Sequence, residues 1–116
     1  MKRSIPFVFL VFSASVSADV LSDFREYEAA VAAGAVYSHH CRVELSAQTT
    51  IGEKCQSYGE FLERFEVLQD RLLEQYADNT FEELLVDQVS TQRWNTHMIN
   101  IEKFESNFYF IDQFLY

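Results

Sequence analysis

The two cysteines of this chain, Cys41 and Cys55, stand at the facing ends of two stretches with helical spacing. An even number of cysteines in an exported chain is typical of a disulfide, and this pair lacks the C-x-x-C spacing of redox and zinc sites. Closing a loop of about 15 residues stabilises a fold by about 3 kcal/mol in the chain-entropy model. We therefore predict a disulfide that staples two antiparallel helices into an N-terminal hairpin.

Residues 1–18 have the three parts of a cleaved secretory signal peptide. Lys2 and Arg3 supply its positive charge. Residues 5–12 form its apolar core, and Ala18 is the small residue before the cut. Because this apolar run is much shorter than the ~20 residues that cross a bilayer, we expect export without a membrane span in the mature chain. The periplasm is the expected location, and the extracellular medium is the second choice.

The mature chain, residues 19–116, is long enough for one domain and is strongly acidic. Loss of Lys2 and Arg3 leaves 7 basic and 18 acidic residues, so the formal charge changes from −9 to −11. Nucleic acids and anionic membranes are poor partners for such a chain, because phosphate binding requires clustered Lys and Arg. Its field attracts basic proteins and metal ions instead. We predict a single acidic helical domain whose partner is a basic protein.

Apolar residues recur every three or four positions through most of the mature chain, which predicts helices. We expect one helix over residues 23–43, a polar connector over 45–50 and a second helix over 51–77. Residues 81–116 continue the pattern, either as one helix kinked near 90–95 or as two helices. A strand near the C-terminus is the alternative, since aromatic residues favour strands. The predicted fold is all-α, a small bundle of three or four helices.

Three short signatures predict where the helices begin. In a capping box, the side chain of the residue before the helix accepts a hydrogen bond from a backbone N–H of the first turn. The side chain of a Glu three residues later accepts in return from the backbone N–H of that first residue. The pairs in this chain are Asp23 with Glu26, Thr50 with Glu53, and Thr80 with Glu83. They set the starts of the three predicted helical segments.

One face of the second predicted helix carries a set of carboxylates that we call the acidic row: Glu63, Glu66, Asp70 and Glu74. Like charges four positions apart destabilise a helix by roughly 0.2–0.5 kcal/mol per pair, and no basic residue follows at the fourth position to offset them. A solvated outer face is the structural interpretation of the row. The functional interpretation is a docking strip for a basic partner.

Aromatic residues make up six of the last 13 positions: Phe104, Phe108, Tyr109, Phe110, Phe114 and Tyr116. At about 100° per residue, one core-facing stripe of a helix cannot bury them all. Phe110 points away from the main stripe, and together with Phe114 and Tyr116 we assign it to a partner surface or a homodimer interface. The alternatives are burial in the core and a site for a small apolar ligand.

The histidines give a weak signal for metal binding. His39 and His40 precede Cys41, and imidazole and thiolate bind zinc and copper. However, adjacent residues of a helix point about 100° apart, so we assign no metal ligand and no cofactor. His97 stands alone elsewhere in the chain.

No nucleophile, base or carboxylate pair stands at a spacing that indicates catalysis, so we do not expect an enzyme. By elimination, the expected function is binding another protein, as an inhibitor, an immunity factor or an accessory factor. The alternatives are a carrier or sensor for a metal ion or small apolar ligand, and a structural protein that self-associates through its C-terminal helix.

Overall fold

The computed structural model describes the backbone of residues 6–48, 50–77 and 80–115, with side chains from residue 20 onward. These residues form four helices and no strand: α1 (Pro6–Gln48), α2 (Glu53–Gln75), α3 (Phe81–Leu85) and α4 (Thr91–Leu115). The predicted all-α fold is confirmed, and the alternative of a C-terminal strand is wrong for the described part. The side chains of the predicted signal peptide, Lys2 and Arg3 among them, lie outside the described residues, as does Tyr116.

The C-terminal half consists of two helices rather than one kinked helix. The break between α3 and α4 covers residues 86–90, just before the expected position, and Trp94 lies inside α4. Ser90 ends the break because its Oγ accepts from the backbone N–H of Arg93 at 3.1 Å. The Thr80 capping signature is confirmed for α3, since Thr80 Oγ1 accepts from the backbone N–H of Glu83 at 3.3 Å.

The disulfide between Cys41 and Cys55 joins α1 to the first turn of α2, with 4.3 Å between the Cα atoms. The predicted stapled hairpin is therefore confirmed. The expected capping box at Thr50 is wrong: Gly52 is the N-cap of α2 and has no side-chain cap. The carboxylate of Glu44 on α1 replaces it, because it accepts from three backbone N–H groups at 2.8–3.0 Å, those of Gly52, Lys54 and Cys55.

Glu44 shows how the start of α2 is stabilised from outside the helix. The first N–H groups of a helix have no partner within it and carry partial positive charge. Desolvation raises the pKa of Glu44, but the hydrogen bonds from Cys55, Lys54 and Gly52 together lower it by more. The pKa therefore lies below its ordinary value of 4.5. A charged carboxylate therefore connects the end of α1 to the start of α2.

The expected start of the first helix at Asp23 is also wrong, because α1 runs through this residue. The Asp23 carboxylate accepts from the Tyr76 hydroxyl at 2.6 Å and pairs with Arg71 at 3.4 Å. Glu26 pairs with the same guanidinium at 2.9 Å. These carboxylates tie α1 to the end of α2 instead of capping a helix. At its other end, α1 extends into the expected connector and buries Leu45 completely.

Helix α1 is the centre of the bundle, since it packs against each of the other three helices. Helix α2 runs antiparallel to it. Helix α4 runs parallel, as the ring contact of Phe24 with Trp94 near one end and the hydrogen bond of Arg42 with Asn107 toward the other end indicate. Among the described residues, no Cα of α2 lies within 8 Å of a Cα of α4. Closely packed helices have axes about 8–10 Å apart, so the backbones of these two are splayed. Large side chains bridge them, since the ring centres of Phe65 and Phe104 lie 5.0 Å apart.

The apolar core has two parts. The larger one joins α1, α2 and α4 around Val31, Phe65 and Phe104. The smaller one lies around Phe24 and is closed by α3 and the start of α4: Val20, Phe24, Leu85, Leu21, Tyr76, Phe81, Leu84, Val89 and Trp94.

Helix α4 approaches α1 closely at Gly34. A Cβ placed on Gly34 would lie within 3 Å of three atoms of the Phe104 ring, whereas a Cβ on Gly59 of α2 would meet nothing within 4 Å. The run of small residues that surrounds Gly34 makes this approach sterically accessible.

The same substitution at these two glycines should have opposite effects on stability. We expect Gly34→Ala to destabilise the protein by about 1–3 kcal/mol, because Phe104 has to leave its position. Gly59→Ala should stabilise it by about 0.5–1 kcal/mol through helix propensity alone. Urea unfolding of both variants measures the difference, and a stabilising Gly34→Ala would refute the close approach of α4.

Candidate partner-binding surface

The acidic row is exposed at all four positions of α2. Among the described residues, no cation lies within ion-pair distance of Glu63, Glu66, Asp70 or Glu74. The carboxylates of α1 behave differently. Asp23 and Glu26 pair with Arg71, Glu28 pairs with Arg93 at 2.7 Å, and Glu44 caps α2. The row is therefore available to cations of another molecule.

An apolar groove lies where α2 and α4 splay apart, and Glu66 of the acidic row stands on its rim. Tyr27 and Val31 of α1 contribute to its lining, and it encloses about 240 Å³. The walls come from α2 and α4: Leu62, Phe65, Glu66, Gln69, Ile101, Phe104, Glu105, Phe108 and Tyr109.

A second cavity of about 210 Å³ adjoins the first, since Tyr27 and Gln69 line both. It continues along α2 toward α3, and its remaining lining is largely apolar: Leu72, Leu73, Tyr76, Thr80 and Phe81. We call the two cavities together the α2–α4 groove, although α4 lines only the first of them. The bundle thus has two neighbouring cavities along one side of α2, with Tyr27 and Gln69 in the lining of both.

Carboxylates stand on both walls of the α2–α4 groove, and nearby carboxylates contribute to the raised pKa values of two tyrosines. Burial raises the pKa of Tyr58 to about 12, and the negative charges of Glu66 and Asp112 contribute to the rise. Burial also raises the pKa of Tyr27, which a hydrogen bond with Gln69 opposes and the charge of Glu105 increases. Burial is the main cause of both shifts, and only Tyr27 lines the groove, since Tyr58 lines neither cavity.

The C-terminal aromatic residues that we assign to a partner surface lie apart from the groove where the structure describes them. Phe110 is half-buried, with the Arg42 guanidinium 4.3 Å from its ring centre, and Phe114 is exposed beside it. Neither residue lines the groove, and Tyr116 lies outside the described residues. The aromatic wall of the groove is formed by Phe108 and Tyr109 instead.

The sequence analysis missed Tyr109 as a surface residue of interest. Ile101, Glu105 and Tyr109 recur at every fourth position of α4, so they share one face of that helix. The signal was present in the spacing, but the opening beside it depends on how far α2 stands from α4. That distance has no local signature in the chain.

The histidines do not gather into a metal site. His39 and His40 are exposed on α1, and Cys41 is in the disulfide. Across the described part of the chain, no group of three or more His, Cys, Asp or Glu side chains could hold a metal ion.

His97 is buried among aromatic rings of the smaller core. Its ring centre lies 5.1 Å from that of Phe24 and 5.6 Å from that of Trp94, and its Nδ1 has no hydrogen-bond partner in the described structure. Burial lowers the pKa of His97 below its ordinary 6.5; the Glu28 carboxylate opposes this and Arg93 adds to it. The neutral imidazole is therefore the form that fits the fold.

Acidification should destabilise the protein through His97 before the carboxylates titrate. Because the pKa is lowered in the folded state, the unfolded chain takes up the proton first, and stability falls as the pH drops below about 6.5. We expect the urea midpoint to decrease between pH 7 and pH 5.5 and to vary less in His97→Gln. His39→Gln, at an exposed position, should keep the native dependence. If the urea midpoint changed equally with pH in all three proteins, His97 would not be the cause of the acid destabilisation.

The chain was compared with protein-family models, curated proteins and solved structures. It matches none of them. Within the described residues, no helix combines the length and the apolar character needed to cross a bilayer. The interpretation of the acidic row and of the α2–α4 groove therefore depends on their own geometry and charge.

Proposed function

We propose that this chain is exported, loses residues 1–18 and acts by binding a basic protein. The periplasm is the proposed location, with the extracellular medium second. An inhibitor, an immunity factor or an accessory factor would all work in this way. The Cys41–Cys55 disulfide supports export, because disulfides persist in oxidising compartments. The formal charge of −11 after cleavage supports a basic partner.

The observation that carries this proposal is the contrast between the carboxylates of α1 and those of the acidic row. The former hold the bundle together, whereas the row pairs with no cation in the described structure and one of its members, Glu66, lines an apolar groove. Complementary charge speeds encounter and selects the partner, while burial of apolar surface contributes affinity. Both elements occur side by side on α2.

Neutralising the acidic row should weaken binding without weakening the fold. The experiment captures partners from a native envelope extract on the immobilised, oxidised protein at low salt and identifies a basic protein released by stepwise salt elution. We then expect Glu66→Gln/Asp70→Asn/Glu74→Gln to reduce affinity for that protein by about tenfold or more. Stability should change by less than about 0.5 kcal/mol, because these positions are exposed.

A matched variant separates the local surface from the overall charge. Glu60→Gln/Glu82→Gln/Asp87→Asn removes the same three charges from exposed positions outside the acidic row. It should retain most of the affinity. Equal losses in the two triple variants would reduce the proposal to a net-charge effect, and unchanged affinity in both would refute it. A mass that rises with concentration would favour self-association instead.

A further inference from the structure

We propose that the α2–α4 groove binds an amphipathic α-helix of the partner, with apolar anchors on one face and Lys or Arg along its borders. This inference rests on the proposed function and specifies how the partner docks. The first support is the splay of the α2 and α4 backbones. Helix α1 contacts both α2 and α4, whereas no Cα of α2 lies within 8 Å of a Cα of α4 in the described residues. These two helices meet through buried rings, Phe61 and Phe65 on α2 and Phe104 on α4. A further helix could pack over these rings, between the two backbones.

The dimensions of the groove suit a helix. Its α2 wall extends from Leu62 to Leu73, a distance of 11 residues, which at about 1.5 Å per residue gives about 16 Å, or three helical turns. The two cavities follow one another along this wall, centred about two turns apart. A docking helix presents anchors at this spacing when apolar residues stand at i, i+3 or i+4, and i+7.

The volumes argue for side-chain anchors over a free small molecule. Pockets for drug-sized ligands enclose about 300–1,000 Å³, whereas the two cavities here enclose about 240 and 210 Å³. Each is open toward solvent along the groove and lined mostly by apolar side chains. Such paired shallow cavities accept separate apolar side chains from one ligand.

The charges determine the chemistry of the helix borders. Glu66 stands on the α2 rim and Glu105 on the α4 rim, and neither pairs with a cation within the described structure. Burial is the main cause of the raised pKa of Tyr27, which lines both cavities, and the negative charge of Glu105 adds to the rise. An acidic or neutral helix would add repulsion or leave these charges uncompensated. A helix with Lys or Arg on either side of its apolar face can form ion pairs with the carboxylates on both rims.

Two synthetic peptides test the inference on the oxidised full chain. The first is a ~14-residue amphipathic helix of Leu and Lys, and the second has the same composition in an order that abolishes the apolar face. We expect fluorescence anisotropy to show one-to-one binding of the first, at least about tenfold tighter than the second. Circular dichroism should show that the bound peptide gains helicity.

Variants on the walls locate the binding. Leu73→Ser/Tyr109→Ser removes two exposed apolar side chains from opposite ends of the groove and should weaken binding by about tenfold. Val67→Ser changes an equally exposed apolar residue of α2 that lines neither cavity, and it should leave affinity within about twofold. Thermal unfolding of each variant verifies that the fold is retained.

Three outcomes would overturn the inference. The first is equal affinity for both peptides, with binding lost in the acidic-row variant. This would still support ionic docking of a basic partner but would exclude a helix in the groove. No binding of either peptide at low salt would also exclude it. A concentration-dependent mass abolished by Leu73→Ser/Tyr109→Ser would identify a second copy of this chain as the occupant. Failure of the proposed function gives a different result. In that case the acidic-row variant and its charge-matched control bind the captured basic protein equally well.

Discussion

Phe24→Ala should destabilise the protein by about 3–5 kcal/mol, the largest effect we expect of any single truncation. Phe24 is completely buried and is the hub of the smaller core. Its ring stacks on Trp94 at 5.2 Å and meets the edge of Phe81 at 5.7 Å, and the Arg93 guanidinium lies 5.2 Å from its centre. Since small domains are stable by only about 5–15 kcal/mol, this loss would leave a substantial unfolded population.

Urea unfolding followed by Trp94 fluorescence measures the effect where it arises, because Trp94 is the only tryptophan and touches the substituted ring. Phe114→Ala is the matched control, since it truncates the same side chain at an exposed position of α4. We expect it to cost less than about 1 kcal/mol. A Phe24→Ala variant as stable as Phe114→Ala would show that the smaller core contributes little to the fold.

Removal of the disulfide should be the second largest perturbation. Cys41→Ala/Cys55→Ala is expected to destabilise the protein by about 3 kcal/mol, because the unfolded chain regains the freedom of a closed loop of about 15 residues. Both sulfurs are buried in the larger core, and Ala avoids leaving a buried hydroxyl there. Urea unfolding of the native protein with and without reductant should give the same difference as the double variant.

The double variant itself provides the control, since reductant should not change its stability. The dependence of the unfolding free energy on urea should also steepen when the bond is absent, because the unfolded chain then exposes more surface. If the oxidised and reduced proteins unfold at the same urea concentration, the Glu44 contacts and the core alone hold the hairpin, and the chain-entropy account is wrong here.

The helices and the hairpin could be predicted from the sequence because their causes are local. Apolar spacing of three and four residues predicts α2 to within two residues at each end, and the two cysteines predict how α1 meets α2. For residues 81–116 the same spacing predicts helix but leaves open one kinked helix or two. The Thr80 signature succeeded because its partner, the N–H of Glu83, lies three residues away. Each of these features depends on neighbours in the chain.

The failures all involve partners that are distant in the chain. The sequence around Asp23 resembles a helix start, yet its carboxylate bonds to Tyr76, 53 residues later. Thr50 resembles a cap, yet Glu44 reaches across the connector to the same N–H groups. The spacing of residues in the sequence cannot show whether a side chain bonds to a neighbour in the chain or to a residue far from it. The acidic row was predicted as a row, whereas its position beside an apolar groove required the splay of two helices.

The central position of α1 has a consequence for the order in which the molecule can assemble. The contacts of α1 with α4 join residues far apart in the chain: Ser38 and Asn107, for example, are 69 positions apart. A chain that emerges from its N-terminus presents α1 and α2 long before α4 exists, so the hairpin and its disulfide can form while one flank of α1 is still bare. Such long-range pairing is slow, and bare apolar flanks invite aggregation. Helix α4, which is synthesised after the hairpin, is therefore the one that ends this exposure.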